Sequence, residues 1–395
     1  MSQRFLAWLR EGLRGLAPSA RAEDFRRIAL VYFFTTMAIW FLAYGASTVF
    51  IENKVATWHH TRTRPFDVWA RWDSGPYVDL ARWGYKRREG YSDFVAWFPL
   101  YSYLIRILSP SPRYHYPMGE MISLVSFLLL LCIVFDLVAQ EKGKDVAHLT
   151  VLYLSIFPSA LYFRVVYAEA LFTLLILLSY RGYLRENYLR CGIYGALAAT
   201  TRWPGIALLP AFGATAIWEV LRGRKKFRPA MLFIGLVAVG PAVVMGIQWR
   251  EVGDPLAFLH AVSRPDFQRA VSFPGASVVA DVKRMLAEWS FRHGAIEFNL
   301  ILDDLVAVLA VAGAIYFFRR YGFLQGIFAL GLLLPPLMSG RTIGMMRYVL
   351  PIFLYVVFLA EIGQRRPWFH NLWIFCSSLF LAYYTICFAC WYWTT

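Results

Sequence analysis

The chain has 395 residues, of which 59% are hydrophobic, 18% aromatic and only 16% charged, with a mean hydropathy of +0.49. A soluble fold leaves too much of its area wet to carry that apolar load, so composition excludes a soluble enzyme and implies an all-α, polytopic membrane protein. The formal charge of +15 does not imply nucleic acid, because Lys and Arg collect in the untranslocated loops of membrane proteins.

Residues 1–27 carry Arg4, Arg10, Arg14, Arg21, Arg26 and Arg27 and read as a cytoplasmic segment. The apolar run 28–50 is long enough to cross a bilayer and is expected to be an uncleaved signal anchor. Further apolar stretches fall near 118–139, 147–163, 166–184, 191–203, 204–221, 229–249, 303–318, 322–339, 346–363 and 371–391. Read as crossings they give about 11 transmembrane helices in one domain over 28–395. Several are short, and Trp203-Pro204-Gly205 predicts a kink or turn inside the membrane, since proline removes a donor and clashes with the preceding turn.

Charge orients these crossings. Lys142 and Lys144, Arg185 and Arg190, the run Arg222–Arg228, Arg319-Arg320 and Arg365-Arg366 all fall in the links predicted to be cytoplasmic. Two long segments, 51–117 and 250–302, are then external. The first is basic (Arg62, Arg64, Arg71, Arg82, Lys86, Arg87, Arg88). Either long outer segments escape the charge rule, or a cationic surface attracts phosphate groups. The second holds His260, Asp266, Glu288, His293, Glu297, Asp303 and Asp304, with an amphipathic helix expected over 276–290. It reads as a lid or acceptor contact, or as a structural cap.

Of the five cysteines Cys387 and Cys390 share a helix face, which is not evidence of a disulfide; no second C-x-x-C completes a metal set, and all five read as small buried hydrophobes. No Asn-x-Ser/Thr occurs and Arg dominates the 40 basic residues, which points to a bacterial plasma membrane.

Chemistry is concentrated in Ala70-Arg-Trp-Asp-Ser-Gly-Pro-Tyr77. Asp73 lies among Trp69, Trp72, Tyr77, Trp83 and Tyr85, aromatics of the kind that settle at the water–lipid interface. A carboxylate there suits a general base. The competing reading is an N-cap for the helix that follows, since Asp-Ser-Gly-Pro is a good helix start. Asp79, Glu89 and Asp93 are weaker carboxylate candidates, with solvated loop charge the default reading. Glu169, at the outer end of a short apolar helix, is costly at membrane depth and calls for a cavity or an ion pair with Arg164 or Arg202. Arg202 sits beside the proline break and needs an anion. It joins Arg341 and Arg347 as candidate phosphate binders, because the guanidinium fork matches phosphate oxygens. For Arg341 and Arg347 the alternative is interfacial snorkelling.

The run Trp72-Asp73-Ser-Gly-Pro-Tyr77, followed by Leu80-Ala81, Gly84-Tyr85 and Ala96-Trp-Phe-Pro-Leu100-Tyr101, resembles the first-loop signature of the PIG-V family of GPI mannosyltransferases. Phe157-Pro158-Ser159-Ala160, Tyr167-Ala168-Glu169-Ala170-Leu171-Phe172, Arg202 with Gly205, and Arg347-Tyr348 with Pro351 follow in the family's order. The resemblance runs from about 69 to 360. The chain departs from the family at Pro76, where the eukaryotic enzymes carry histidine, at Ala168, and in the longer span between Tyr85 and Phe98.

The resemblance implies a GT-C architecture with a long first outer loop. It also implies an inverting transfer of a sugar, mannose by inheritance, from a polyprenyl-phosphate donor to a lipid or glycan acceptor. Asp73 is then the catalytic base, and Glu169, Arg202, Arg341, Arg347, Trp72, Tyr77 and Arg164 bind substrate. No nucleotide loop or metal spacing accompanies these residues, so no cofactor is expected, although a divalent metal is compatible with them. A polyprenol or lipid-linked sugar transporter, and a non-catalytic membrane binding protein, are the alternatives. The first would use the same arginines and Glu169 along a pathway.

Overall fold

A computed structural model of the chain describes residues 22–53, 66–85, 94–263, 272–288 and 295–392, and every regular element among them is a helix. In order these are α1 (Ala22–Val49), α2 (Ser74–Trp83), α3 (Pro99–Leu108), α4 (His115–Lys142), α5 (Lys144–Ser155), α6 (Glu169–Leu184), α7 (Tyr188–Thr201) and α8 (Leu208–Leu221). They are followed by α9 (Val239–Val252), α10 (Ala257–Val262), α11 (Ala276–Glu288), α12 (Ala295–Arg320), α13 (Phe323–Leu337), α14 (Met345–Val349), α15 (Phe353–Arg365) and α16 (Pro367–Ala389). Short 3-10 turns lead into several of them, among them Trp203–Ala207 before α8 and Pro229–Ala238 before α9.

Among the described residues, six helical stretches are long and apolar enough to cross a membrane: Ala22–Val49, Pro112–Lys142, Trp203–Leu221, Pro229–Val252, Phe298–Arg320 and Pro367–Ala389. The other predicted crossings take a different form. The stretch 147–163 becomes the 12-residue α5 and a 3-10 turn. The stretch 166–184 becomes the 16-residue α6, 191–203 the 14-residue α7, and 322–339 the 15-residue α13. The stretch 346–363 is split between α14 and the 13-residue α15. A straight span needs about 20 residues, so reading each apolar stretch as one crossing overcounts full-length helices. Irregular backbone at membrane depth is tolerated only where protein covers it, and these short helices occupy the centre of the bundle.

The centre is α6, in which every residue from Glu169 to Tyr183 is buried. A helix that is apolar all round belongs inside, and α6 packs against both α4 and α7. Residues 185–187 fold α6 and α7 into a hairpin, with Asn187 capping α7 through its side-chain oxygen on Arg190 N. At Gly192 a Cβ would overlap the Phe233 carbonyl oxygen. Glycine there lets α7 and the Pro229–Ala238 stretch approach as small residues do between membrane helices.

The hairpin has a consequence for function. Glu169 opens α6 and Arg202 closes α7, so the turn between them puts both at the same end of the bundle. The opposite end is closed by Lys144 on Asp24, Arg181 on Asp136, Lys142 and Arg320 on Glu361, and Lys225 and Arg228 on Glu186. We refer to these as the site end and the basic end.

Candidate functional site

Asp73 stands at the N-cap of α2 but makes no capping hydrogen bond with its side chain. The residue before it, Trp72, has φ +52°, a left-handed conformation that is unusual for a bulky side chain. Its ring packs edge-on against Trp391, 5.5 Å between centroids. The backbone N–H of Asp73 donates to the Tyr167 hydroxyl at 3.1 Å, and that hydroxyl donates on to the Arg71 carbonyl at 3.4 Å. The turn is thus held from both sides, and the carboxylate points away from the helix it precedes. Its Oδ2 accepts from Arg347 Nη1 at 2.8 Å. Asp73 therefore holds the N-cap position, but its carboxylate serves Arg347 rather than the helix.

Arg347 lies on α14 and bridges two acids. Its Nη1 meets Asp73 while its Nε donates to Glu169 Oε1. Arg202 Nη1 donates to the same Glu169 oxygen. Arg202 has extended backbone (φ −153°, ψ 144°), where α7 ends and the Trp203–Ala207 turn begins. The predicted proline break is therefore the feature that turns this guanidinium towards Glu169. Aromatic faces line both cations. The Arg347 guanidinium sits over Tyr167 at 4.7 Å and Tyr162 at 5.1 Å, and Arg202 over Tyr348 at 5.4 Å and Phe172 at 5.7 Å. These contacts favour a desolvated cation. Glu169 is wholly buried, and its second oxygen, Oε2, has no hydrogen-bond partner among the described residues.

Tyr77 is buried beside this cluster and packs edge-on against Tyr101 at 5.1 Å. Burial pushes its phenol well above the usual range, and the charges of Glu169, Arg202, Arg347 and Asp73 all reach it. The hydroxyl of Tyr101 donates to the Gly119 carbonyl at 2.7 Å, which pins α3 to α4 beneath the site.

Two further motif elements are explained by packing. Gly84 has φ +69°, and a Cβ there would lie 2.7 Å from Glu251 Oε2. That same oxygen accepts from Tyr85 N at 2.6 Å, while the Tyr85 hydroxyl donates to the Trp97 carbonyl at 2.6 Å. Gln248, one turn before Glu251 on α9, donates to the Val95 carbonyl and accepts from Phe258 N. Gly84-Tyr85 is thus the seam along which the first long segment is sewn to α9 and, through Gln248, to the second.

The structure brings together Asp73, Glu169, Arg202, Arg347 and Tyr77, with Trp72 setting the turn. Arg164 is placed elsewhere. It is buried, donates to Thr35 and Thr36 of α1 and to the carbonyls of Ser155 and Ala160, and lies over the Phe127 ring at 4.5 Å. Its donors satisfy main-chain oxygens of the irregular 155–164 stretch, as backbone at membrane depth requires. Arg164, expected among the substrate-binding residues, is held by these partners and, among the described residues, forms an ion pair with neither Asp73 nor Glu169. Arg341 is half-buried in the loop before α14, where its carbonyl accepts from Ser339 Oγ at 3.0 Å.

Arg71 is not part of an open cationic surface either. It is buried, pairs with Glu52 at 3.1 Å and Asp67 at 3.0 Å, and stacks on Trp391 at 4.8 Å. Asp79 sits 4.0 Å from Arg82, and burial raises its carboxyl more than Arg82 lowers it. Arg62, Arg64, Lys86, Arg87, Arg88, Glu89, Asp93, Asp266 and His293 lie outside the described residues. In the second long segment His260 pairs with Asp254 at 2.7 Å on the surface, and α11 forms where the amphipathic pattern predicts it. Asp303 and Asp304 belong to α12 and are buried, so they are not loop charges.

Sequence reasoning missed the roles of Tyr167, Gln248 and Glu251. A polar residue at the end of an apolar stretch was the available signal for the last two. Among the described residues no three His, Cys, Asp or Glu side chains gather as a metal centre.

No family model and no curated protein matches this chain. Among solved structures it is similar to the Archaeoglobus fulgidus oligosaccharyltransferase in a complex with Zn and sulfate. The identity is 13% and the TM-score 0.46, over 91% of this chain and 53% of that one. It is also similar to the archaeal oligosaccharyltransferase AglB from Archaeoglobus fulgidus in complex with an inhibitory peptide and a dolichol-phosphate, at 12% identity and a TM-score of 0.44, over 91% and 56% of the two chains. The chain spans about half the length of these structures, and overlaps this loose carry no assignment.

Proposed function

We propose that this membrane protein is an inverting glycosyltransferase of the GT-C type, moving a sugar from a polyprenyl-phosphate donor to a lipid-linked or glycan acceptor. The observation that carries the reading is the bridge made by Arg347, which joins Asp73 to Glu169 while Arg202 closes on Glu169 from the other side. An acid and two cations therefore share one end of the bundle and one cluster, as a reaction that takes a proton and releases a phosphate anion requires.

In this scheme the donor phosphate enters against Arg347 and Arg202, whose forks suit its oxygens. Arg347 Nη1 turns from Asp73 to the phosphate and frees the carboxylate. Asp73 takes the proton of the acceptor hydroxyl as that oxygen bonds to the anomeric carbon. The bond from that carbon to the phosphate oxygen breaks on the opposite face, and polyprenyl phosphate leaves with the electron pair. The charge it gains is met by the two guanidiniums, stabilisation that grows as the bond breaks. Glu169 holds both cations in register and, bound by two guanidiniums, is not the base. Mannose as the sugar, and a site on the outer face of a bacterial plasma membrane, follow from the resemblance and from the charge asymmetry between the two ends.

The test is purified protein with radiolabelled polyprenyl-phosphate mannose and a lipid extract from the source cell. A new labelled, acid-cleavable product is expected. Label that crosses the bilayer without forming a product would support a transporter instead, and intact, unmoved donor would sink both.

A further inference from the structure

A carboxylate close in structure to Arg347 lies outside every motif discussed above. Asp303 is 1% exposed, within the apolar stretch of α12. Its Oδ2 accepts from Gly344 N at 2.8 Å and its Oδ1 from Met346 N at 3.1 Å. The neighbouring Asp304 Oδ1 accepts from Thr342 Oγ1 at 2.6 Å. Three bonds therefore fasten residues 342–346 to one turn of α12, immediately before Arg347. Gly344 has φ +85°, a turn that a side chain would resist.

A carboxylate inside a membrane helix is expensive and marks function by default. Among the described residues no Lys, Arg or His forms an ion pair with Asp303, which accepts instead from main-chain N–H groups. Both of its oxygens are used, each on a different residue of the turn. A loop needing only a link to α12 would be served by one such bond. Two bonds on alternate amides fix its orientation as well as its position, and orientation decides whether one guanidinium can reach two acids at once.

We propose that Asp303 is the positioning residue for Arg347. It sets the 344–346 turn so that the guanidinium faces Asp73, Glu169 and, on the reading above, the donor phosphate. The part concerning phosphate rests on that reading; the tether does not.

The test uses the full chain in lipid nanodiscs, as wild type, Asp303→Asn, which keeps one accepting oxygen, and Asp303→Ala, which keeps none. Without donor, amide exchange at Gly344 and Met346 should rise in the order wild type, Asn, Ala, with the helices of the basic end unchanged. Unchanged exchange at those two amides overturns the tether. Undecaprenyl phosphate, used as the probe, should bind roughly tenfold more weakly to Asp303→Asn, the loss of about one charge-assisted contact. Asp303→Asn combined with Arg347→Ala should bind no more weakly than Arg347→Ala alone, since a residue acting through Arg347 has nothing left to position. Additive losses, or wild-type binding with a loosened turn, overturn the positioning role. If wild type does not bind the probe, the functional reading fails and the exchange result decides the tether alone.

Discussion

Ion pairs close both ends of the bundle, but the two ends differ in how far their cations reach out. At the basic end Asp24, Asp136 and Glu361 are inside and several cations reach out. Asp136 is buried while Arg185 is 48% exposed, and Asp24 is buried while Lys144 is 50% exposed. At the site end Arg202 and Arg347 are 12% and 13% exposed and Glu169 not at all, while Asp73 is the most open member at 31%. Cations that reach water are already solvated and add little beyond orientation in the membrane. Cations held inside on aromatic faces are costly unless something anionic completes them. The first arrangement suits a protein anchoring itself. The second suits one awaiting a charged ligand, with its more exposed acid, Asp73, held by Arg347.

The sharpest way to break this contrast is to alter the open acid. Asp73→Asn keeps shape and one accepting oxygen but cannot take a proton. Transfer should fall by roughly 10²–10⁴-fold, the usual worth of a general base, with an unchanged melting temperature. Near-normal turnover would remove Asp73 from the chemistry. Next comes Glu169→Gln, which leaves two inward guanidiniums sharing no anion. Removing one partner of a buried pair costs about 3–5 kcal/mol, so here the melting temperature should drop along with activity. A variant as stable as wild type would show that Arg202 and Arg347 find water or Asp73 instead.

Much of this contrast was legible in the sequence. The hairpin logic of two short apolar stretches with Arg185 and Arg190 between them is enough to put Glu169 and Arg202 at one end. The break at Trp203-Pro204-Gly205 is readable from proline chemistry alone, and the structure places it one residue earlier, at Arg202. What could not be read is which arginine meets which acid. Arg164 is five residues from Glu169 in the chain, yet the irregular 155–168 stretch turns it towards Thr35 and Thr36 on α1. Arg347 is far away in sequence and arrives because α12 holds its loop. Hydropathy counts apolar residues and cannot tell a full span from a short helix that other helices cover, which is why about 11 crossings were expected where, among the described residues, six helices are long enough. Pairing across distant segments is set by tertiary packing, and a periodic pattern carries no information about it.

A smaller effect is expected where the two long segments are sewn together. Gly84→Ala combines a positive φ with a Cβ only 2.7 Å from Glu251 Oε2. Strain of this kind costs of order 1–3 kcal/mol, and the Glu251 bond to Tyr85 N lies directly in its way. The first long segment should become more sensitive to protease, with donor transfer reduced but not abolished. Equal protease resistance would mean that Glu251 can move aside freely.

The smallest effect belongs to the basic end. Arg185→Ala removes one of two arginines on Asp136, but Arg181 remains at 2.6 Å and Gln140 donates to the other oxygen at 2.8 Å. The acid is never left alone, and the lost partner was half in water, so the stability change should stay within about 0.5 kcal/mol. Activity should be unaltered, because the whole length of α6 separates this pair from Glu169. A marked loss of transfer in Arg185→Ala, with the fold intact, would mean that the two ends of α6 communicate. The distinction between an anchoring end and a reacting end would then have to give way to a single coupled network.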